Sequence, residues 1–114
     1  MYKTITINDV DYKCVLTAEA CCDIEDKLGT NPLNLFTMLD DGKLPKLGDL
    51  LTIFHYSLQK YQHGIDRKKA FSLYDNYIED GHTLLEFTRE LVDIFRESGF
   101  VSKNEEEVEE DPNA

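Results

Sequence analysis

The amino-acid sequence predicts an α+β fold, mostly helical, in which an N-terminal β-hairpin packs on about five helices and a disordered acidic C-terminal tail follows. Three observations carry that expectation. Apolar and polar residues alternate with period two on both sides of Asn8-Asp9, as in a hairpin with one face in a core. From Thr17 to Phe100, apolar residues recur every three or four positions in segments bounded by capping residues and glycines, the pattern of amphipathic helices. From Lys103 onward, five glutamates and one aspartate accompany a single sizeable apolar residue, Val108, too little to offset the entropy of ordering.

The hairpin occupies residues 2–15. With Asn8 and Asp9 at the centre of a tight turn, Ile7 lies opposite Val10, Ile5 opposite Tyr12, and Lys3 opposite Cys14. Ile5, Ile7, Val10 and Tyr12 then share one buried face, and Thr4, Thr6, Asp11 and Lys13 share the other. Asn-Asp is less committed to the left-handed turn than Asn-Gly, which leaves a longer loop open.

Thr17 is the N-cap of a helix over about 18–28, with Leu16 and Cys21 spaced as a hydrophobic staple. Cys21, Ile24 and Leu28 form its inward stripe. Lys27 suits the negative helix end, and Gly29 supplies the left-handed residue that stops it. Asn31 as cap and Pro32 in the first helical position open a short helix over about 32–40. A loop from Gly42 to Pro45 precedes a helix over about 47–62, marked by Leu47, Leu50, Leu51, Phe54, Leu58 and Tyr61.

Asp66 caps the next helix, about 67–80, which bears Ala70, Phe71, Leu73, Tyr74, Tyr77 and Ile78. Thr83 and Glu86 form a capping box for the last, about 84–98, with Leu84, Phe87, Leu91, Ile94 and Phe95 on its inner face. Gly99 ends it, and Phe100 is placed to fold back on Phe95. These elements make a single globular domain over residues 1–102, with the acidic tail over 103–114.

The net charge is −11, of which residues 103–114 contribute −5. That balance argues against a nucleic-acid partner, which requires a Lys/Arg face to displace counterions from phosphates. Three cysteines, Cys14, Cys21 and Cys22, form an odd set with two sequence neighbours on different sides of a helix, so no disulfide framework is expected. No Cys or His pair has zinc-site spacing. No segment has the apolar length of a membrane span, and the N-terminus lacks a basic start followed by an apolar stretch. The chain therefore reads as soluble and intracellular.

No catalytic, metal or cofactor constellation is expected. Asp40-Asp41, Glu79-Asp80 and Glu25-Asp26 lie at helix ends or on exposed faces, whereas acid–base chemistry needs a carboxylate held in a cleft. Ser57, Ser72 and Ser98 sit within helices or at a helix end and lack a nucleophile-elbow setting. The acidic neighbours Asp23 and Glu25 disfavour a thiolate at Cys21 or Cys22, so small core residues are expected there. Arg67-Lys68-Lys69 runs against local physics, since a helix N-terminus favours anions. Those cations fit contact with an acidic partner, such as the acidic tail of a neighbouring copy. Tyr56 and Tyr61, among more aromatic residues than one small core needs, are candidate partner contacts, as are Glu105, Glu106, Glu107, Glu109 and Glu110 of the tail.

The hairpin with its short polar turn, the helix Ala20 to Leu28 with Glu25 inside it and Gly29 after it, the Leu-rich Gly48-Asp49-Leu50-Leu51, and the acidic end after Gly99-Phe100 resemble the tail assembly chaperones of long-tailed, siphovirus-type bacteriophages and prophages. The resemblance covers residues 2–110 and points to the short form. It implies a non-enzymatic protein that acts without cofactors in the host bacterial cytoplasm, is absent from the mature virion, and works in many copies. Such a protein binds and solubilises the tape measure protein and helps recruit tail tube subunits.

Members of that family are often made in two lengths through a programmed frameshift. Ser102-Lys103-Asn104 can be encoded by a slippery A-AAA-AAC run, which makes the frameshift checkable in the gene. A different class of reading is a small acidic phage-encoded inhibitor or nucleic-acid mimic. Mimicry needs carboxylates spread over a rigid surface, whereas nearly half of the charge excess here belongs to the tail.

Overall fold

A computed structural model describes residues 1–102 of the chain. Strands β1 (Lys3–Ile7) and β2 (Val10–Cys14) form an antiparallel hairpin, followed by α1 (Ala18–Leu28), α2 (Asn34–Asp40), α3 (Leu47–Ser57), α4 (Arg67–Glu79) and α5 (Leu84–Glu97). β1 rests on α4 and α5, while α3 runs through the centre and packs against α1, α4 and α5. The fold is the expected hairpin-plus-helices α+β arrangement. The region expected to be a disordered acidic tail lies outside the described residues.

The hairpin register is Lys3 with Cys14, Ile5 with Tyr12 and Ile7 with Val10, as the two-residue turn requires. Asn8 and Asp9 both take positive φ, 52° and 65°. This is the backbone whose twist matches a right-handed hairpin, and Asn and Asp tolerate it better than other non-glycine residues. Ile5, Ile7 and Cys14 are buried and Tyr12 is half-buried, but Val10 is 49% exposed. The expectation that Val10 shares the buried face is thus corrected. It follows the turn directly and lies on β2, whereas the strand seated on the helices is β1.

The free edge of β2 is covered by a side chain. Gln62 Oε1 accepts the Lys13 N–H at 2.7 Å, and Gln62 Nε2 donates to the Lys13 carbonyl at 2.8 Å. One amide thereby occupies both backbone groups where another strand could add. On the opposite side, Lys3 reaches Glu90 at 3.1 Å and Asp93 at 3.3 Å on α5. Burial alone would lower the Lys3 ammonium, but the two carboxylates outweigh it and raise the pKa above its usual value.

Helix caps follow local chemistry. Thr17 accepts the Ala20 N–H, Asp66 accepts the Lys69 N–H, and Thr83 with Glu86 makes the reciprocal capping box. Gly29 is left-handed at the end of α1 with φ 72°. At the end of α5, the Gly99 N–H donates to Arg96 and the Phe100 N–H donates to Phe95, both at 3.1 Å. The Phe100 and Phe95 rings lie 6.2 Å apart, which completes a Schellman stop with its hydrophobic contact.

Two boundaries differ from expectation. α2 begins at Asn34 rather than Pro32, because Asn31 forms a turn instead of a cap. Its side chain accepts the Leu33 N–H and its carbonyl accepts the Asn34 N–H, so the first bonds are three residues long. α3 ends at Ser57 instead of continuing to about 62. There Leu58 and Gln59 bond back only three residues, Gln59 donates to the carbonyls of His55 and Ile65, and Gln62 turns outward to Lys13. With the helix ended, Tyr61 is 40% exposed instead of continuing the core stripe, and Leu47, ahead of the packed turns, is 43% exposed.

The core is centred on fully buried Phe54, Phe87 and Phe95. Phe87 meets Phe54 edge-on at 5.2 Å, Tyr74 at 4.8 Å and Tyr77 at 5.6 Å. Burying each such ring contributes roughly 1.5–3 kcal/mol from area alone. Among the described residues no helix is long and apolar enough to cross a membrane.

Candidate functional site

The groups that could carry chemistry are occupied structurally or exposed to solvent. Asp40, Asp41, Glu79, Asp80, Glu25 and Asp26 are exposed. Ser57 Oγ donates to the Phe54 carbonyl at 2.7 Å, and Ser98 Oγ donates to Ile94 while accepting the Leu16 N–H. Cys14 and Cys21 are buried and Cys22 is exposed. Burial pushes the Cys14 thiol up to about 12 and, with Glu25 nearby, the Cys21 thiol up to about 11, so both remain protonated core residues. His82 is the partner of Glu86, Nδ1 to Oε2 at 3.1 Å, and this hydrogen bond holds the Glu86 carboxyl below its usual range. Among the described residues no group of three or more His, Cys, Asp or Glu is placed to hold a metal ion.

What the fold builds instead are three surfaces suited to contact. The first is a cationic groove of about 180 Å³ where the end of α1, the middle of α3 and the start of α4 meet, lined by Lys27, Thr52, His55, Tyr56 and Arg67. His55 Nε2 lies 3.1 Å from the Ile65 carbonyl, which fixes the ring at the groove wall. The Arg67 guanidinium lies 4.3 Å from the Phe71 ring centroid, a cation–π seat that orients it. Lys68 and Lys69 follow on the exposed first turn of α4. Among the described residues, ion pairs engage Lys3, His82 and Arg96, and none engages Lys27, Arg67, Lys68 or Lys69.

The second surface is a shallow apolar groove between the end of α1, α2 and α3, walled by Leu28, Leu35, Met38, Pro45 and Ile53. Leu44 and Leu47, which flank Pro45 in the chain, are 52% and 43% exposed. The third is an aromatic patch at the base of the hairpin. Tyr2 and Tyr61 meet edge-on at 5.3 Å, with the Lys13 ammonium over both rings and Lys60 over Tyr61.

The structure therefore divides the residues singled out from sequence. Arg67 and Tyr56 converge in the cationic groove, Lys68 and Lys69 follow Arg67 on the exposed first turn of α4, and Tyr61 belongs to the separate aromatic patch. Glu105, Glu106, Glu107, Glu109 and Glu110 lie outside the described residues. Sequence reasoning missed Lys27 as a groove residue, since its position in the last turn of α1 already had a sufficient role opposite the helix dipole. It also missed the apolar groove, although Leu44 and Leu47, three residues apart around Pro45, offered a signal.

A family model described as a family of unknown function, DUF6096, matches residues 1–111. No curated protein and no solved structure matches the chain.

Proposed function

The chain belongs to the DUF6096 family, a family of unknown function, and from that premise we propose that it is a tail assembly chaperone of a long-tailed bacteriophage or prophage. In this reading it binds and solubilises the tape measure protein, helps recruit tail tube subunits, and catalyses no reaction. The observation that carries the reading is the apolar groove of α1, α2 and α3 with Leu44 and Leu47 exposed beside Pro45. A long helical client presents apolar side chains one turn apart, and a groove between helices is the usual receptor for such a stripe. Two leucines left half exposed around a groove-lining proline add apolar surface where such a client would lie. The sequence resemblance names the client, and the apolar groove supports the reading.

The test is co-expression with the tape measure protein encoded by the same phage or prophage. The tape measure protein is expected in the soluble fraction, co-purifying with this chain, and insoluble when expressed alone. A tape measure protein that stays insoluble in both cases, or is soluble without the chain, overturns the reading. Adding tail tube protein to the co-purified pair and measuring its retention examines the recruitment step separately.

A further inference from the structure

We propose that the acidic segment 103–114 docks, within the same chain, on the cationic groove lined by Lys27, His55, Tyr56 and Arg67. This goes beyond the chaperone reading and does not rest on it. The first ground is charge. In a chain of net charge −11, the groove lining contains two cations and no carboxylate, and Lys68 and Lys69 follow Arg67 on the exposed first turn of α4. The segment carries Glu105, Glu106, Glu107, Glu109, Glu110 and Asp111 against Lys103. Lys27 and Arg67 reach into one concavity from two different helices, so they accept a run of carboxylates better than separate surface lysines would.

The second ground is reach. The end of α5 is fastened to the start of α1, because the Leu16 N–H donates to Ser98 Oγ at 2.8 Å. α1 then runs 11 residues toward the groove, a span of about 16 Å. Extended chain beyond Ser102 places Glu105 within about 10 Å and Glu110 within about 26 Å of the last described residue. A chain of that length exceeds the about 16 Å that α1 spans from the Leu16–Ser98 contact to its end.

The third ground is the competition between sites and copies. A second cationic hollow, lined by Arg89, Val92, Asp93 and Arg96, lies on the helix that leads to Ser102 but already contains a carboxylate, with Arg96 Nη1 3.5 Å from Asp93. Exposed ion pairs are individually weak, so free segments of neighbouring copies bind poorly. A short tether supplies an effective concentration on the order of millimolar, which favours the same chain over the neighbouring copy expected from sequence.

Paramagnetic relaxation tests this on the full chain, with a spin label at Val108→Cys and the exposed thiol removed by Cys22→Ser. The amide signals of Lys27, Thr52 and Arg67 are expected to broaden at low ionic strength. They are expected to recover at about 1 M salt, where the Debye length is about 3 Å. The same loss of broadening is expected with Lys27→Glu/Arg67→Glu, and with glutamine at all five glutamates from 105 to 110, a change that leaves the groove intact. Unbroadened groove amides overturn the proposal, as does broadening centred on Arg89 and Arg96. Broadening seen only between a spin-labelled copy and a separate isotope-labelled copy overturns the assignment to the same chain.

Discussion

The seam between the hairpin and the helices is closed by packing and polar partners, whereas the surface where α1, α2, α3 and the start of α4 meet leaves cations without ion pairs and leucines half exposed among the described residues. On the first side, Ile5 and Ile7 are buried against the helices, Lys3 is tied to Glu90 and Asp93, and Gln62 covers the open backbone of Lys13. On the second, Lys27 and Arg67 face one groove with no carboxylate in its wall, and Leu44 and Leu47 stand half in water. The two regions belong to one small fold, so the difference is not one of overall stability. It separates groups that hold the fold from groups available for contact, and substitutions in the two regions should behave differently.

The largest effect is expected at Ile5, which is fully buried on the strand that rests on α4 and α5. Ile5→Ala removes three carbons from a packed seam and should cost about 2–5 kcal/mol, the spread depending on how far the hairpin settles onto the helices. Urea denaturation reads this as a lower midpoint at unchanged slope. A loss below about 1 kcal/mol would mean that the hairpin is as lightly attached as the groove surface, and the contrast between the regions would fail.

The second effect belongs to alkaline pH. Burial holds the Cys14 thiol near 12 instead of 9.0, and burial with Glu90 and Glu86 nearby holds the Tyr77 phenol near 12 instead of 10.0. Both are neutral in the fold and ionise more readily in the unfolded chain. Their contributions are complete below pH 9 and 10 respectively, and are lost as pH rises toward 12. The Lys3 ammonium, raised above its usual value by its two carboxylates, is lost in the same direction. Cys14→Ala should therefore flatten the decline of stability between pH 9 and 12 by on the order of 2–4 kcal/mol relative to wild type. Thermal melts across that window measure it. An identical decline in both proteins would place the thiol in contact with water and remove Cys14 from the sealed side.

The same division explains how much of the molecule was legible in the sequence. Turn and cap chemistry acts over two to five residues, so Asn8-Asp9, Thr17, Asp66, the Thr83–Glu86 box and the Gly99-Phe100 stop could be read directly. Interactions between distant residues could not. Gln62, just beyond the end of α3, bonds Lys13, 49 positions away, and no periodicity in the helix announces it. Val10 alternates correctly for a buried face but lies beside the turn on β2, a fact of tertiary placement. The cationic groove is the strongest case, because Lys27 and Arg67 each have a sufficient local reading and become one site only when α1 and α4 are brought together on α3. Local preference is encoded in neighbours, and a site shared by three helices is encoded in their packing.

The smallest effect on stability sharpens the comparison most. Leu44 and Leu47 are both more than two-fifths exposed, so Leu44→Ser and Leu47→Ser should change stability by less than about 0.5 kcal/mol each. They flank Pro45, which lines the apolar groove, and a client helix lying there would cover them. On the proposed chaperone reading, the double variant should fold with an unchanged urea midpoint and fail to hold the tape measure protein in solution during co-expression. Loss of folding would reassign both leucines to the core. Undiminished retention of the client with an unchanged midpoint would move the contact surface away from this groove. Only an intact fold that no longer retains the proposed client separates binding from stability, because a buried residue of the hairpin seam such as Ile5 would lose both together.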